Sequence, residues 1–482
     1  MISPPFHPEP VRATCERRNR WSFGLTARSI ALLIAGFFLL VPGFWDERLS
    51  YAMLPWDALV LIAAFIDGQR LPRADQLIAA RSWSNAPALD SETEIELTIE
   101  NQGSVIVDCR LIDDLPPALK DAHTQPEPVR LSAFPRVPVS VRYRVVPRER
   151  GDCATGWLYV RYRSPLGLAE RWAKAPLTQT VRVYPALRTG EEQQIFLARS
   201  RQIDLQLRQV RQRGLGRDFE SLRDYREGDD LRDICWTASA RRGSLITRQY
   251  QTERSQPVWI VLDCGRLMRS RVVTAISTKG ALSANAKETA PNSTIHSKLD
   301  HACTSAVALA QLALYSGDRV GLLAYGQTIQ QRLLPGRGAA HLRQMIELLA
   351  QLRAESSEAD HLRATTMLGR LQPRRSLILW VTDLAETAMR PEVIDGAMQL
   401  LRRHVLLFVA MAQPEVESIA EARPKNVEQM FRAAAAQEMA GRRELLLARL
   451  HEQGALTLDL NPEAVTSSIL NQYLAIKERA MV

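Results

Sequence analysis

The stretch VWIVLD, residues 258–263, decides the fold of the second half of the chain, because it is a short, continuous apolar run that ends in an acid. Similar runs recur at residues 320–325, 376–383 and 405–410, and a further strand is predicted near 456–460. Segments with apolar residues at helical spacing separate them, for example around residues 303–315 and 426–450. Buried strands that alternate with helices are typical of a parallel sheet covered on both faces. Residues 258–482 are therefore predicted to form a doubly wound, Rossmann-like α/β domain.

Polar side chains gather where these predicted strands end. Asp263 follows the first strand, Asp383 the third, and Thr365 and Thr366 stand shortly before the third strand. Ligands of open α/β sheets bind at the carboxyl ends of the strands, and two carboxylates with a hydroxyl suit Mg²⁺. The simpler alternative is that each acid caps the helix after it.

Residues 84–186, before this domain, have a different periodicity. Ile95, Leu97 and Ile99 alternate with polar residues, and the same period of two returns near residues 139–145 and 181–185. Such alternation between turn residues indicates half-buried antiparallel strands. We predict a small all-β sandwich with a scaffolding or docking role.

Two apolar stretches, residues 29–45 and 49–66, lie near the start of the chain. We interpret them as a two-helix membrane anchor over 29–66, with a secretory signal peptide as the alternative. Asp57, behind Pro55 and Trp56, is expected at the membrane surface rather than as a functional intramembrane acid. Arginines stand on both sides of the pair, at positions 12, 17, 18, 20 and 28 and again at 70, 73 and 81. They predict a basic cytoplasmic N-terminus over 1–28 and a cytoplasmic C-terminus, which places the protein in the inner (cytoplasmic) membrane.

Composition and motifs argue against several function classes. The net charge of +9 is mild for 482 residues, so no nucleic-acid partner is expected. The six cysteines form no C-x-x-C pair. The chain lacks a phosphate-binding loop, an H-E-x-x-H motif and a nucleophile elbow, so we expect neither an enzyme nor a small-molecule substrate. Cys264 as a nucleophile is disfavoured because the adjacent Asp263 raises a thiol pKa. An RNA or lipid-surface role for the arginines near residues 199–213 is also disfavoured.

The segment between sandwich and sheet, residues 190–257, contains the most unusual block, GLGRDFESLRDYREGDDLRDICWTASARRGSLITRQYQTE, residues 214–253. Its distinctive positions are Gly214, Gly216, Phe219, Arg223, Tyr225, Gly228, Asp229, Asp230, Arg232, Trp236 and Arg241. Because acids and arginines are interleaved, the block suits a network of directional ion pairs better than a polyanion groove. Such a network either fixes the segment on the sheet domain or presents a docking surface.

These positions resemble the signature of the bacterial membrane-protein family known as domain of unknown function 58. The resemblance implies a von Willebrand factor A-type fold for the α/β domain. Carried over to this sequence, the metal site of that fold falls on Asp263, Thr365 or Thr366, and Asp383. Gly265 and Leu267 stand where that fold has serine ligands. We therefore expect a degenerate site, Asp263, Thr366 and Asp383, that binds Mg²⁺ weakly or not at all.

The same resemblance implies a partner, because the family is associated with MoxR-type AAA+ ATPases. The leading hypothesis is a membrane-anchored adaptor or scaffold that acts through protein–protein interaction in a chaperone-like module, without a cofactor. The alternatives are an enzyme that uses metal chemistry at Asp263 and Asp383, or a purely structural membrane module.

Overall fold

The computed structural model describes residues 8–18, 22–38, 53–119, 128–186, 198, 218–226, 231–251, 256–275, 293–384 and 392–479. The chain divides into two units, Met1–Ala186 and Leu187–Val482. The first is dominated by antiparallel strands, and the second by a six-stranded sheet with helices. The fold is thus mixed α/β with several sheets.

Twelve of the described strands and two helices make up the first unit. In chain order they are β1 (Val11–Thr14), β2 (Glu16–Arg17), β3 (Phe23–Leu25), α1 (Ala27–Phe37), α2 (Met53–Arg70), β4 (Leu77–Trp83), β5 (Thr93–Asn101), β6 (Val107–Asp113), β7 (Val129–Ala133), β8 (Pro138–Val145), β9 (Gly151–Thr155), β10 (Leu158–Arg163), β11 (Ala169–Ala175) and β12 (Gln179–Val183). One sheet has the order β1-β4-β5-β8, and the other has the order β2-β11-β10-β6-β7, with β3 also paired to β11. Strands β12 and β9 form a separate pair.

The apolar and polar residues that alternate along these strands are alternately buried and half-buried in the structure, as β5 shows. Ile95, Leu97 and Ile99 are fully buried, and they share one core with residues of the second sheet such as Leu111 and Val160. A charged pair lies inside this core: the guanidinium of Arg81 binds the Asp113 carboxylate and also donates to Thr155 Oγ1 at 2.8 Å. The N-terminal strands β1 to β3 join these sheets, so residues 11–17 and 23–25 are part of the β unit and not only a basic tail.

The predicted two-segment membrane anchor is wrong, and with it the localisation in a bacterial inner membrane with both termini cytoplasmic. Among the described residues, no helix combines the length and the apolar character needed to cross a bilayer. Helix α1 has 11 residues and so spans about 16 Å, against a bilayer core of about 30 Å. The 18-residue α2 contains Asp57, Asp67 and Arg70. Residues 39–52 of the predicted hairpin lie outside the described residues.

Polar contacts connect α1 and α2 to the β unit, and the hydropathy of the two segments did not indicate these contacts. Asp67, only 1% exposed, accepts from the Ser164 hydroxyl and from the Leu168 amide at 3.2 Å. At the start of α1, the Thr26 and Ser29 hydroxyls donate to the carbonyls of Gly167 and Leu168. The turn before β11 therefore holds the end of one helix and the start of the other.

The second unit contains the predicted α/β sheet. Its strands are β13 (Asp218–Asp224), β14 (Ile246–Gln251), β15 (Pro257–Asp263), β16 (Arg271–Ala275), β17 (Ser293–Ser297), β18 (Arg319–Tyr325), β19 (Ile329–Gly336), β20 (Leu377–Thr382), β21 (Val405–Met411) and β22 (Leu456–Leu460). The large sheet has the order β19-β18-β15-β20-β21-β22. All neighbours in it are parallel except β19, which pairs antiparallel with β18.

Helices cover this sheet, and its central strands are therefore buried on both faces. The described helices are α3 (Trp236–Arg242), α4 (Lys298–Tyr315), α5 (Gly338–Gln351), α6 (His361–Leu371), α7 (Glu392–Leu401), α8 (Pro414–Glu421), α9 (Val427–Glu452) and α10 (Val465–Glu478). Helices α6, α7 and α9 share a core with Trp259, Trp380 and Phe408. Helix α4 packs against α5 and α10 and contacts β15 and β18.

Candidate functional site

Two acids predicted from the sequence meet at the carboxyl end of the large sheet. Asp263 is the last residue of β15, and Asp383 directly follows β20, the parallel neighbour of β15. Both are buried, with 3% and 0% of their surface exposed. Carboxylates at this depth need partners that satisfy their oxygens, and those partners define the chemistry of the site.

Both oxygens of Asp263 are engaged by the polypeptide. Oδ1 accepts from the Gly265 amide at 2.7 Å, and Oδ2 accepts from the Thr382 hydroxyl at 2.6 Å. Burial raises the pKa of Asp263 to about 6, and the charges of Asp383 and Glu355 add to the rise, whereas the two hydrogen bonds oppose it. Asp263 is therefore a carboxyl that ionises reluctantly and is held in one orientation.

Asp383 has a positive partner inside the fold. The Lys298 ammonium donates to Asp383 Oδ2 at 2.6 Å, and both side chains are buried. The Gln413 amide donates to both oxygens, at 3.2 and 3.0 Å. Arg443 Nη1 lies 3.6 Å from Oδ1. Burial lowers the pKa of Lys298, and the Asp383 charge opposes that shift.

The position of Lys298 at the start of α4 explains why its ammonium group lies next to the Asp383 carboxylate. Ser297 and Asp300 form a capping box that begins the helix at Lys298. The Ser297 hydroxyl accepts from the Asp300 amide at 3.2 Å, and an Asp300 carboxylate oxygen accepts from the Ser297 amide at 3.1 Å. Helix α4 crosses back over β15 and β18. A lysine at its first position therefore reaches the end of the sheet where the strand acids lie.

The hydroxyl of Thr365, one of the two candidate threonines, is engaged by its own helix. Thr365 is buried in α6, and its hydroxyl donates to the carbonyls of His361 and Leu362 at 3.1 Å. Thr366, the next residue of the same helix, is half-buried. A hydroxyl that bonds back to its own helix is a packing element.

The residues at this end of the sheet do not fit a divalent cation. Lys298 supplies a positive charge to Asp383, and a metal ion would have to displace it. At Gly265, a β-carbon would lie 2.9 Å from the Ala359 amide nitrogen and 3.0 Å from the Ala359 Cβ, which leaves no room for a serine ligand. In the described part of the chain, no three histidine, cysteine, aspartate or glutamate side chains cluster as metal ligands.

The signature segment is described only in part. Arg223 lies in β13, Arg232 in the short turn of helix Leu231–Asp233, and Arg241 in α3. The Tyr225 amide donates to the Leu245 carbonyl at 2.8 Å, next to the antiparallel β13–β14 pair. Trp236 is 67% exposed. Phe219 lies in β13, whereas Gly214, Gly216, Gly228, Asp229 and Asp230 lie outside the described residues. The ion-pair network stays a prediction.

The sequence analysis did not identify several residues of the site. Thr382 stood directly beside Asp383, and Gln413 follows β21 much as Asp263 ends β15. Lys298 was detectable from the capping box around it, S-K-L-D. A second buried chain links Tyr325, His361 and Trp380, in which Trp380 Nε1 donates to the Tyr325 hydroxyl at 2.7 Å and that hydroxyl lies 2.9 Å from His361 Nδ1. Aromatic residues inside strands have no signal that separates this role from packing.

Comparison with known proteins gives a match to one family model over part of the chain, and distant structural likenesses. A crystal structure of the conserved hypothetical protein BatB from Bacteroides thetaiotaomicron matches at 13% identity and a TM-score of 0.26, covering 46% of this chain and 99% of that one. The ASH / PapD-like domain 7 of human CEP192 matches at 18% identity and a TM-score of 0.13, covering 21% of this chain and 81% of that one. No curated protein matches the chain. The resemblance seen in the signature segment is confirmed by the model of the family described as "Protein of unknown function DUF58", which matches residues 221–287 and 282–427.

Proposed function

We propose that the protein is an adaptor or scaffold that acts through protein–protein interaction, with a MoxR-type AAA+ ATPase as its partner. The observation that carries the proposal is an arm built from α8 and the first part of α9, which exposes large apolar side chains. The choice of an ATPase as partner rests on the family resemblance alone.

The first part of α9 is exposed, whereas its later part buries one face. Helix α9 has 26 residues, about 39 Å, and its first buried residue is Ala433. Before that point, Val427 and Phe431 are each 67% exposed and Met430 is 50% exposed. Their spacing of three and four residues places them on one face of the helix. Ile419 of α8 is 43% exposed beside them.

Clustered apolar side chains on a soluble surface are typical of an interaction site. Aromatic and methionine side chains are also enriched where partner proteins meet. The apolar face of the arm, defined here as Ile419, Val427, Met430 and Phe431, therefore fits a protein partner.

An enzyme that uses Asp263 and Asp383 is the less favoured alternative. A catalytic carboxylate must reach a substrate, but these two are 3% and 0% exposed and are bound by Thr382, Lys298 and other groups of the chain. A purely structural membrane module is not proposed, because its membrane helices are absent from the described residues.

The test is affinity capture of the tagged full-length protein from cell extract, with and without ATP, followed by mass spectrometry. We expect recovery of an AAA+ ATPase that falls when the apolar face of the arm is made polar. Recovery of no ATPase would remove the ATPase partner, and recovery that is indifferent to the arm would remove the arm as the interaction site.

A further inference from the structure

A cleft of about 610 Å³ opens beside the arm, between α8, α9 and β22. Its apolar walls come from Val416, Met439 and Leu447, and its acids from Glu417, Glu444 and Asp459. Small-molecule and side-chain sites typically occupy about 300–1,000 Å³. The cleft is large enough for one long side chain with its flanking main chain.

The charge around the cleft is negative. Glu417 and Glu444 are exposed on α8 and α9. Helix α8 contains the acids Glu415, Glu417 and Glu421 and no basic residue. His451 also lines the cleft, and the one permanently cationic lining residue is Arg443.

Arg443 forms the floor, since its whole residue is only 8% exposed whereas the other lining residues are half-buried or exposed. Its Nε donates to Asp459 Oδ2 at 3.1 Å, and its Nη2 binds Asp459 Oδ1. These contacts and the nearby Asp383 compensate the guanidinium charge. Nη1 is buried and makes no hydrogen bond within the described residues. Nη1 faces the buried Asp383 carboxylate, 3.6 Å from Oδ1.

We propose that this cleft binds a lysine or arginine side chain of an extended segment of the partner protein. The aliphatic stem packs on Val416, Met439 and Leu447, as long basic side chains do on apolar surface. The cationic head meets Glu417 and Glu444. This inference rests on the proposed adaptor function, because it assigns a partner chemistry to the surface beside the arm.

Met439 lines the cleft and can serve as an NMR probe of binding. Met430, on the same helix, lies outside the cleft and serves as the reference. We would label the methionine methyl groups of the full chain with ¹³C and assign these two signals with Met439→Leu and Met430→Leu. The probe is N-acetyl-arginine methylamide, and the uncharged control is N-acetyl-norleucine methylamide. We expect the arginine compound to shift the Met439 signal saturably and to leave Met430 in place, with much weaker binding of the norleucine compound.

The charge requirement is tested with the double variant Glu417→Gln, Glu444→Gln. We expect at least ~5-fold weaker binding of the arginine probe, because two facing charges are lost. The matched control is Glu421→Gln, Glu452→Gln, which removes one exposed acid from each of the same two helices outside the cleft. Its affinity should stay within about twofold of the wild type, the range expected for screened charges.

Three results would overturn the proposal: an unresponsive Met439, equal binding of the norleucine compound, or unchanged affinity in the Glu417/Glu444 variant. The adaptor function is judged separately by ATPase capture. A silent Met439 together with capture that depends on the arm removes the cleft site and leaves the adaptor. A responsive Met439 together with capture that ignores the arm supports the basic-side-chain site and removes the arm.

Discussion

Lys298 Nζ lies 2.6 Å from Asp383 Oδ2, and the two side chains are 2% and 0% exposed. Lys298 begins α4 and Asp383 follows β20, so the pair joins a helix start to a strand end across 85 residues of sequence. The fold thus supplies its own cation to the acid that the family resemblance assigns to a metal site. Gln413 reinforces the pair from the end of β21.

Removal of the lysine charge should strongly destabilise the second unit. Lys298→Met removes the nearest cation of the buried Asp383 carboxylate and leaves only Arg443, 3.6 Å from Oδ1; breaking a buried pair typically costs about 3–5 kcal/mol. For a large domain this lowers the melting temperature by roughly 6 °C or more. Thermal unfolding followed by circular dichroism measures the change.

The matched control removes both charges. Lys298→Met combined with Asp383→Leu replaces the pair by apolar groups of similar size, an exchange that is often nearly neutral. We expect the double variant to melt above the single variant. If both melt at the wild-type temperature, the pair contributes nothing to stability.

The pKa of Asp263 predicts a pH dependence of stability. Its pKa is about 6 in the fold against 3.8 in a model compound. Between these values the folded chain holds more protons on this group than the unfolded chain does. The free energy of unfolding therefore falls as pH rises from about 4 to about 6, and then stays level as far as this group is concerned.

Asp263→Asn should remove this contribution while keeping an oxygen for the Gly265 amide. We would compare melting temperatures of the wild type and the variant from pH 4 to pH 7. The wild type should lose stability relative to the variant as pH rises through that window. Parallel profiles would show that the Asp263 carboxyl does not titrate in this range.

The sequence predicted the central strands because they are buried on both faces and consist of apolar residues without interruption. The apolar runs at 258–263 and 405–410 coincide with β15 and β21 to within one residue at either end. Strand β19 was missed, because its polar residues Gln330 and Gln331 and its Pro335 break any apolar run or alternation. It survives as an edge strand, where such residues are tolerated.

Contacts distant in sequence could not be predicted in the same way. The apolar stretches of α1 and α2 suggested a membrane, but nothing local showed that Asp67 would be buried against Ser164, almost a hundred residues later. Likewise, Asp383 was identified from its place after a strand, whereas its partner Lys298 begins a helix 85 residues earlier in the sequence. Which residues pair across the fold depends on the topology of the chain, and the hydrophobic periodicity of the sequence does not reveal that topology.

Gly265 stands where the family resemblance implies a serine of a metal-site loop, and a serine placed there should not create metal binding. Gly265→Ser places a β-carbon 2.9 Å from the Ala359 amide nitrogen, so the loop must shift at a cost of about 1–3 kcal/mol. We expect a lower melting temperature for the variant, and no saturable Mg²⁺-dependent rise in either protein. Calorimetric titration with Mg²⁺ and Mn²⁺ checks this. A micromolar affinity in the wild type would contradict the misfit of the site.

The buried pair of the β unit predicts a second, independent stability effect. Arg81 is fully buried and Asp113 is 3% exposed, and the Tyr143 hydroxyl also donates to Asp113. Arg81→Met leaves that carboxylate without its cation, at a cost of about 3–5 kcal/mol. The matched control is Arg142→Met, which breaks the solvent-exposed pair with Glu96 and should cost at most about 1 kcal/mol. Equal melting shifts in the two variants would contradict a core role for Arg81.

The arm predicts a binding effect without a stability effect. Phe431 is 67% exposed, so Phe431→Ser removes little packing inside the fold and should change the melting temperature by less than about 2 °C. An aromatic side chain central to an interface commonly contributes about 2 kcal/mol or more, so ATPase recovery should fall by roughly tenfold or more.

Leu445 is the matched control for Phe431, because it lies on the same helix, is 62% exposed and stands outside the apolar face of the arm. Leu445→Ser introduces the same polar side chain at similar exposure, so any general effect on solubility or on α9 would appear in both variants. Quantitative capture of the ATPase should therefore separate them, with loss for Phe431→Ser and retention for Leu445→Ser. Equal loss in both would assign the defect to the helix as a whole, and the arm would then be a structural element instead of the docking surface.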